Sequence, residues 1–130
     1  MGLSEDPGRE DRIRMTEPSD SWRIFKVDEL LAEQAGAGRA VYSEFLKASA
    51  MSLGIYRLPA GSRDMQGAHD DDEVYYVLDG RARIRVDGEE MLVEKGTILY
   101  IRAACDHSFF EVEEDMTLLV MFAAPGRGMR

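Results

Sequence analysis

The chain has 130 residues, which suits one domain with short appendages, because a single hydrophobic core usually serves about 100 to 200 residues. Hydrophobic residues make up 45% of it, enough for a core, while no apolar run approaches the roughly 18 residues that a membrane-spanning helix needs. With 25 acidic and 16 basic residues the formal net charge is −9, which argues against nucleic acid and membranes as partners.

Cell location is inferred from the first residues and from cysteine usage. The opening stretch MGLSEDPGRE is polar and acidic, without the basic start and apolar run of a secretion signal. The single cysteine, Cys105, cannot form an internal disulfide, which suits a reducing compartment. We therefore predict a soluble, cytoplasmic protein, and we interpret Cys105 as a small core residue in preference to a nucleophile.

The N-terminal part of the chain changes character near residue 21. Residues 1–20 combine proline, glycine and dense charge with little apolar periodicity, so they are predicted to be a disordered leader. From Trp22 the stretch WRIFKV alternates as a strand would. The following DELLAEQ predicts a short helix that is capped by Asp28 and closed at Gly36.

After residue 38 the sequence is a succession of short strands with glycine-bearing turns, which predicts an all-β sandwich or barrel. Asp79-Gly80 and Asp87-Gly88 are predicted hairpin turns, because glycine tolerates positive φ and aspartate bonds its own backbone. The predicted strands are Ala40–Leu46, Ser49–Leu58, Glu73–Leu78, Ala82–Val86, Glu90–Val93, Ile98–Ile101, His107–Val112 and Met116–Phe122.

Alternation assigns faces to these strands, since successive side chains point to opposite sides. In the stretch RARIRV, the three apolar residues Ala82, Ile84 and Val86 are predicted to face inward and the three arginines Arg81, Arg83 and Arg85 outward. These arginines could form an anion site. Because they are spaced along an exposed face, we interpret them instead as partners for the acidic side chains, which outnumber the basic ones.

The same alternation places ionisable side chains among residues that line the interior. Glu73 shares a face with Tyr75 and Val77, and His107 shares one with Phe109. A carboxylate in an apolar interior costs several kcal/mol unless something compensates it, and a metal ion does so directly. His69 lies shortly before Glu73, in the loop that leads into the same strand, and the chain has 2 histidines in all.

Two imidazoles and one carboxylate form a set of ligands that leaves open positions on Fe(II) and related ions. His69, Glu73 and His107 are therefore candidate metal ligands. The spacing alone is weakly specific. It also fits a surface His69, a salt-bridged Glu73 and a hydrogen-bonded core His107.

Two sequence motifs, which follow one another along the chain, make the prediction of a metal site more specific. The segment from Gly61 to Gly80 resembles the first signature of the cupin superfamily, G-x5-H-x-H-x3-E-x6-G, with His69, Glu73 and Gly80 in register. The stretch GEEMLVEKGTILYIRAACDHSFFE resembles the second signature in its loosest form, through Gly88, Gly96 and His107. The resemblance implies a double-stranded β-helix, or jelly-roll barrel, with a short N-terminal helix. The barrel would span residues 21–124, followed by a tail over 125–130.

The chain also departs from the family pattern. The first histidine of the first signature falls on Gly67, which has no side chain, and the adjacent Gln66 is a candidate substitute through its amide oxygen. The second signature lacks its prolines, with Glu94 and Ile101 in their places, and its final asparagine is Glu111. These losses remove no ligand, and the role of Gln66 stays open.

The resemblance implies a divalent transition metal, Fe, Mn, Ni, Co or Zn, and a small-molecule ligand or substrate. The leading hypothesis is a metal-dependent enzyme acting on a small polar organic molecule, with dioxygenase chemistry ahead of isomerase or lyase chemistry. Tyr75 is interpreted either as a proton donor or as a core residue. The alternatives are a non-catalytic ligand-binding module and a metal-free relative. A homodimer is predicted, with the apolar strand residues near Met51–Ile55 meeting the partner.

Overall fold

The computed structural model describes residues 21–36, 38–64 and 70–123. These residues contain one helix and six strands, which confirms the predicted all-β class with a short N-terminal helix. The elements are α1 Val27–Glu33, β1 Val41–Lys47, β2 Met51–Leu58, β3 Asp72–Val86, β4 Glu89–Glu94, β5 Ile98–Ile101 and β6 His107–Ala123. The predicted leader and C-terminal tail lie outside this part of the chain. In the described ranges, no helix has the length and apolar character to cross a membrane.

The strands form one antiparallel sheet in the order β1-β2-β6-β3-β4, with β5 also paired to β3. The long strand β3 has two neighbours on one side: its first half pairs with β5 and its second half with β4. On its other side it pairs with β6 from Asp72 opposite Ala123 to Val86 opposite His107. Over the described residues the pairing does not close into a ring. β3 and β6 together are the central ribbon that carries the candidate site.

The predicted hairpin at Asp79-Gly80 is wrong, because the chain continues through it as strand. β3 joins two predicted strands and β6 joins the two predicted between His107 and Phe122. Register shifts lie at Val77/Asp79, Asp79/Arg81 and Arg81/Arg83, so the dipeptide forms a bulge. Gly80 has a φ of 95°, and a Cβ there would overlap the backbone of Asp115 on β6. Glycine therefore allows close approach of the two strands at this point.

The second Asp-Gly turn is confirmed. Asp87 and Gly88 connect β3 to β4, with φ values of 50° and 83°. Positive φ at both central residues is typical of the two-residue hairpin turn whose twist matches that of the strands.

The segment before the barrel differs from prediction in two ways. Residues 21–26 form no strand, so the alternation of WRIFKV was misleading there. Helix α1 begins at Val27 with Lys26 as N-cap and no side-chain capping bond, and Asp28 lies in the first turn. Its carboxylate still favours the helix there through the helix dipole. The Gln34 side-chain amide donates to the Ile55 carbonyl over 3.1 Å, which places α1 against β2.

The core lies on the inward face that alternation predicted. Tyr75, Val77, Ala82 and Ile84 of β3 are buried there, together with inward residues of the other strands, while Val86 is half-buried. The remaining members of this core are Tyr56, Leu58, Val93, Ile101, Phe109, Val112, Met116, Leu118 and Val120.

Two of the three outward arginines, Arg81 and Arg85, pair with acidic side chains, as expected. Arg81 lies 3.3 Å from Glu113, and Arg85 lies 2.6 Å from Glu90. These pairs are exposed, so each stabilises the fold by at most about 1 kcal/mol.

Candidate functional site

The barrel interior holds a carboxylate and an imidazole in direct contact. Oε1 of Glu73 lies 3.2 Å from Nε2 of His107, and both side chains are 1% exposed. Glu73 stands near the start of β3 and His107 at the start of β6. Both groups come from rigid strands, so the structure brings together two of the predicted site residues with little positional freedom.

A backbone contact orients the imidazole. Nδ1 of His107 lies 2.9 Å from the carbonyl oxygen of Cys105, which only accepts hydrogen bonds, so Nδ1 carries the proton and donates. In the neutral ring the lone pair then belongs to Nε2, the atom that faces Glu73. Metal-binding histidines are commonly held in this way: one ring nitrogen donates to a backbone carbonyl, and the other is left to bind the ion.

Cys105 is half-buried and packs at the edge of the core, so the prediction of a core residue holds only in part. Loss of hydration and the neighbouring Asp87 raise the pKa of its thiol, which disfavours the nucleophilic thiolate.

Tyr75 joins the pair from the next inward position of β3. Its hydroxyl lies 3.2 Å from Nε2 of His107, and its ring packs edge-on against Phe109 with centroids 5.1 Å apart. Burial, and after it the Glu73 carboxylate, raises the pKa of Tyr75 far above its ordinary value. The phenol therefore stays protonated and can donate a hydrogen bond. The ring of Tyr75 is part of the core, and its hydroxyl is part of the site.

The electrostatics of the pair favour opposite charges. Burial by itself lowers the pKa of His107, but hydrogen bonding to Glu73 and to the Cys105 carbonyl, with the charges of Glu73 and Asp64, outweighs it and raises the pKa. The second oxygen of Glu73, Oε2, is buried and accepts no hydrogen bond within the described residues. A buried carboxylate oxygen without a donor is unfavourable, and a cation would satisfy it.

Asp64 is a site neighbour that the sequence analysis missed. Its carboxylate accepts from the Phe109 backbone N–H over 2.8 Å and from the Tyr56 hydroxyl over 2.6 Å. These two bonds attach the end of the loop after β2 to β6 and to β2 itself. Alternation along β2 places Tyr56 inward, but no local signal marks Asp64, because its partners are distant in sequence.

Tyr42 on the edge strand β1 is a second residue that the sequence analysis missed. It stands opposite Tyr56 in register, and its ring packs edge-on against Tyr56 and Phe122 with centroids 6.3 and 6.1 Å away. A Cβ at Gly54 would overlap the Tyr42 ring and hydroxyl, so glycine leaves the space that this ring fills. Tyr42 remains 38% exposed, which makes it the accessible member of this aromatic cluster. Burial, followed by the charges of Glu44 and Glu73, raises the pKa of the Tyr42 hydroxyl.

Two predicted ligands, His69 and Gln66, lie outside the described residues, as does Gly67. Within the described ranges no three His, Cys, Asp or Glu side chains group as a metal site. The two predicted ligands that are described, Glu73 and His107, do lie together. One imidazole nitrogen and one carboxylate with an unbonded buried oxygen fit a first-row divalent cation in donor chemistry.

A family model for the cupin domain matches residues 54–122, more than half of the chain. The chain belongs to the cupin family. A relative of this cupin is the uncharacterized protein SCO3923 of Streptomyces coelicolor, 43% identical over 103 residues, which are 79% of this chain and 97% of that protein. The predicted family is thereby confirmed.

Solved structures share the fold. The protein TT1209 from Thermus thermophilus is 25% identical with a TM-score of 0.66, over 77% of this cupin and 95% of that chain. The DMSP lyase DddQ from Ruegeria pomeroyi is 17% identical with a TM-score of 0.62, over 78% of this cupin and 55% of that chain. At 17% identity the likeness to DddQ shows only that the two chains share a fold. DddQ itself is an enzyme, a DMSP lyase.

Proposed function

We propose that this cupin is a metal-dependent enzyme acting on a small polar organic molecule, with dioxygenase chemistry ahead of isomerase or lyase chemistry. The observation that carries the proposal is the buried contact between Glu73 and His107, in which one carboxylate oxygen has no donor. A buried ionisable group with a perturbed pKa, as His107 is, indicates a candidate functional site.

Glu73 and His107 would hold the ion, with His69 as third ligand and Gln66 as a further oxygen donor. Fe, Mn, Ni, Co and Zn all suit such nitrogen and oxygen ligands. When bound, the ion would supply Lewis acidity toward substrate oxygens or, for iron, activation of dioxygen.

The residues around the pair have separable roles in this proposal. Tyr75 would donate a hydrogen bond or a proton from its hydroxyl, because its raised pKa keeps it protonated. The Cys105 carbonyl holds the imidazole in one tautomer.

The second candidate is a non-catalytic cupin that binds a small ligand. One observation favours it: the Tyr75 hydroxyl and the Glu73 carboxylate both lie 3.2 Å from Nε2 of His107. Nε2 donates to Glu73 when the ring is charged, or accepts from Tyr75 when it is neutral, so either charge state of the ring keeps one of these two contacts as a hydrogen bond without an ion. In this case the Glu73–His107 ion pair would be a structural feature of the interior.

Metal content separates the two candidates. The full chain is expressed with supplied iron, manganese, nickel, cobalt or zinc, purified without chelator, and analysed by elemental analysis. The enzyme proposal expects about one ion per chain, and oxygen consumption by the iron-loaded protein with a panel of small hydroxylated and carboxylated compounds. No retained ion from any of the five metals would contradict the enzyme and favour the binding protein. A retained ion without oxygen use would move the proposal to isomerase or lyase chemistry.

A further inference from the structure

The two nitrogens of the His107 ring have different neighbours, and the two neighbours of Nε2 oppose each other. The Glu73 carboxylate, 3.2 Å from Nε2, favours a proton on that atom, whereas the Tyr75 hydroxyl, also 3.2 Å away, can donate to a lone pair there. The Cys105 carbonyl, 2.9 Å from Nδ1, favours a proton on Nδ1. A neutral imidazole carries one proton, so a carbonyl held at Nδ1 leaves the lone pair of Nε2 for an ion.

The Cys105 carbonyl belongs to a tight turn between β5 and β6. The Cys105 N–H donates to the Arg102 carbonyl over 3.1 Å, which closes a β-turn, and Ala104 in the third position of that turn has a φ of 65°. Glycine is preferred at such a position, because a Cβ is unfavourable in the left-handed region. The residues of this turn therefore do not hold its shape by local preference alone.

An aspartate of β3 fastens the turn from outside. Oδ1 of Asp72 accepts from the Ala103 N–H over 2.8 Å, and Asp72 is half-buried. Strand β5 ends at Ile101 opposite Glu73, so the chain enters the turn beside Asp72, the first residue of β3. The bond fixes the peptide unit before Ala103, and with it the start of the turn that presents the Cys105 carbonyl.

We propose that Asp72 is a positioning residue of the candidate site: it holds the turn whose Cys105 carbonyl keeps the proton of His107 on Nδ1. Asp72 and Glu73 are consecutive on β3 and act on opposite nitrogens of one ring, Glu73 directly and Asp72 through the turn. Without the Asp72 bond, the ring is released toward the Nε2–H tautomer that Glu73 favours, and a protonated Nε2 cannot bind an ion. This role rests on the proposed function, because a free Nε2 matters to an ion.

Two variants of Asp72 separate its hydrogen bond from its charge. Asp72→Ala removes the acceptor, whereas Asp72→Asn removes the charge and keeps an oxygen that can accept from Ala103. The control is Asp115→Ala, since Asp115 of β6 also accepts a backbone N–H, that of Ala60, over 2.7 Å. This control removes a bond of the same kind without touching the turn before His107.

The first readout is the tautomer of His107 in metal-free protein. NMR spectra that correlate ring protons with ring nitrogens, taken at alkaline pH where the imidazole is neutral, show which nitrogen is protonated. The chain has 2 histidines, so His69→Ala assigns both signals. Wild type, Asp72→Asn and Asp115→Ala should be protonated at Nδ1. In Asp72→Ala the proton should be shared with Nε2 or moved to it.

The second readout is the dissociation constant for zinc, measured by titration of the full chain. Asp72→Ala should raise it about 10- to 100-fold, the usual effect of losing a group that orients a ligand, while Asp72→Asn and Asp115→Ala should stay within about 3-fold of wild type.

A second pair of variants tests the turn with Asp72 intact. Ala104 is exposed, so substitutions there change the backbone preference more than the packing. Valine strongly disfavours a φ of 65°, whereas glycine tolerates it. Ala104→Val should therefore reproduce both effects of Asp72→Ala, and Ala104→Gly should reproduce neither. This pair decides the matter if Asp72→Ala does not fold, which circular dichroism checks.

Three results would overturn the proposal: a wild-type ring protonated at Nε2, a folded Asp72→Ala that keeps the wild-type tautomer and zinc affinity, or an Asp115→Ala that loses as much affinity as Asp72→Ala. Wild-type protein that binds no ion would contradict the proposed function instead. The tautomers of the metal-free variants would still decide whether Asp72 positions the His107 ring.

Discussion

The side chains of Glu73 and His107 lie 3.2 Å apart, although the two residues are not opposite each other in the pairing of β3 with β6. Glu73 stands opposite Phe122, and His107 stands opposite Val86 at the far end of β3. A straight strand from Glu73 to Val86 would span about 40 Å. The contact therefore requires the β3–β6 ribbon to curl back on itself, and the register shifts around Asp79 and Gly80 lie in the middle of that curl.

Gly80→Ala should destabilise the protein more than Gly88→Ala. Both glycines have positive φ, but a Cβ at Gly80 would overlap the Asp115 backbone, while one at Gly88 meets nothing within 4 Å. We expect a loss of about 3 kcal/mol or more at Gly80 and about 1 kcal/mol at Gly88. Urea unfolding measures both, and equal losses would show that the close approach to β6 is not what requires glycine.

Alanine variants of the four candidate ligands should divide into two classes. Loss of His69, Glu73 or His107 should each abolish metal retention, because two remaining protein ligands hold an ion too weakly to survive purification. Gln66→Ala should retain the ion with altered affinity, since a neutral amide is the weakest donor of the four.

Elemental analysis of these variants uses Glu94→Ala as the control, an exposed glutamate on β4 that should leave retention unchanged. If Glu73→Ala holds as much metal as wild type, the candidate site is misplaced even though the fold stands.

Asp64→Asn should destabilise the barrel, although the two side chains have nearly the same shape. The Asp64 carboxylate accepts from both the Phe109 N–H and the Tyr56 hydroxyl, and an amide can accept through only one of its two heteroatoms. The expected loss is about 1 to 3 kcal/mol in the free energy of unfolding. Asp70→Asn, at an exposed position, is the control and should change stability by less than about 0.5 kcal/mol.

Gly54→Ala should be destabilising because of Tyr42 and not because of the backbone. The added Cβ would overlap the Tyr42 ring, and the expected loss is about 1 to 3 kcal/mol. In a Tyr42→Ala background the same change should cost at least about 1 kcal/mol less, which a double-mutant cycle measures.

Gly38→Ala, where a Cβ would meet nothing within 4 Å, is the matched control for this cycle. Additive losses at positions 42 and 54 would show that the Tyr42 ring does not depend on the space left by glycine.

Local pattern predicted the faces of the strands well. Alternation put Tyr75, Ala82 and Ile84 inside, and all three are buried. The same rule was misleading for WRIFKV, because residues 21–26 alternate without forming a strand. A strand needs a neighbour to pair with, and the sequence of the segment does not say whether one is available.

The two Asp-Gly dipeptides illustrate the same limit. Asp87-Gly88 is a hairpin turn, whereas Asp79-Gly80 is a bulge inside a continuous strand. Both structures use positive φ at the glycine, so the local chemistry is shared. What differs is the partner: β6 runs alongside Asp79 and Gly80 and keeps the chain extended there.

The sequence by itself determined the fold family, the strand faces and the candidacy of Glu73 and His107, because side-chain alternation and motif spacing are local properties of the chain. Only the tertiary structure decided that these two side chains meet, that the Tyr75 hydroxyl joins them, and that Asp64 bonds Tyr56 and Phe109. Those contacts join residues on different strands, and they depend on register and on the curl of the β3–β6 ribbon, which are set by packing across the whole barrel.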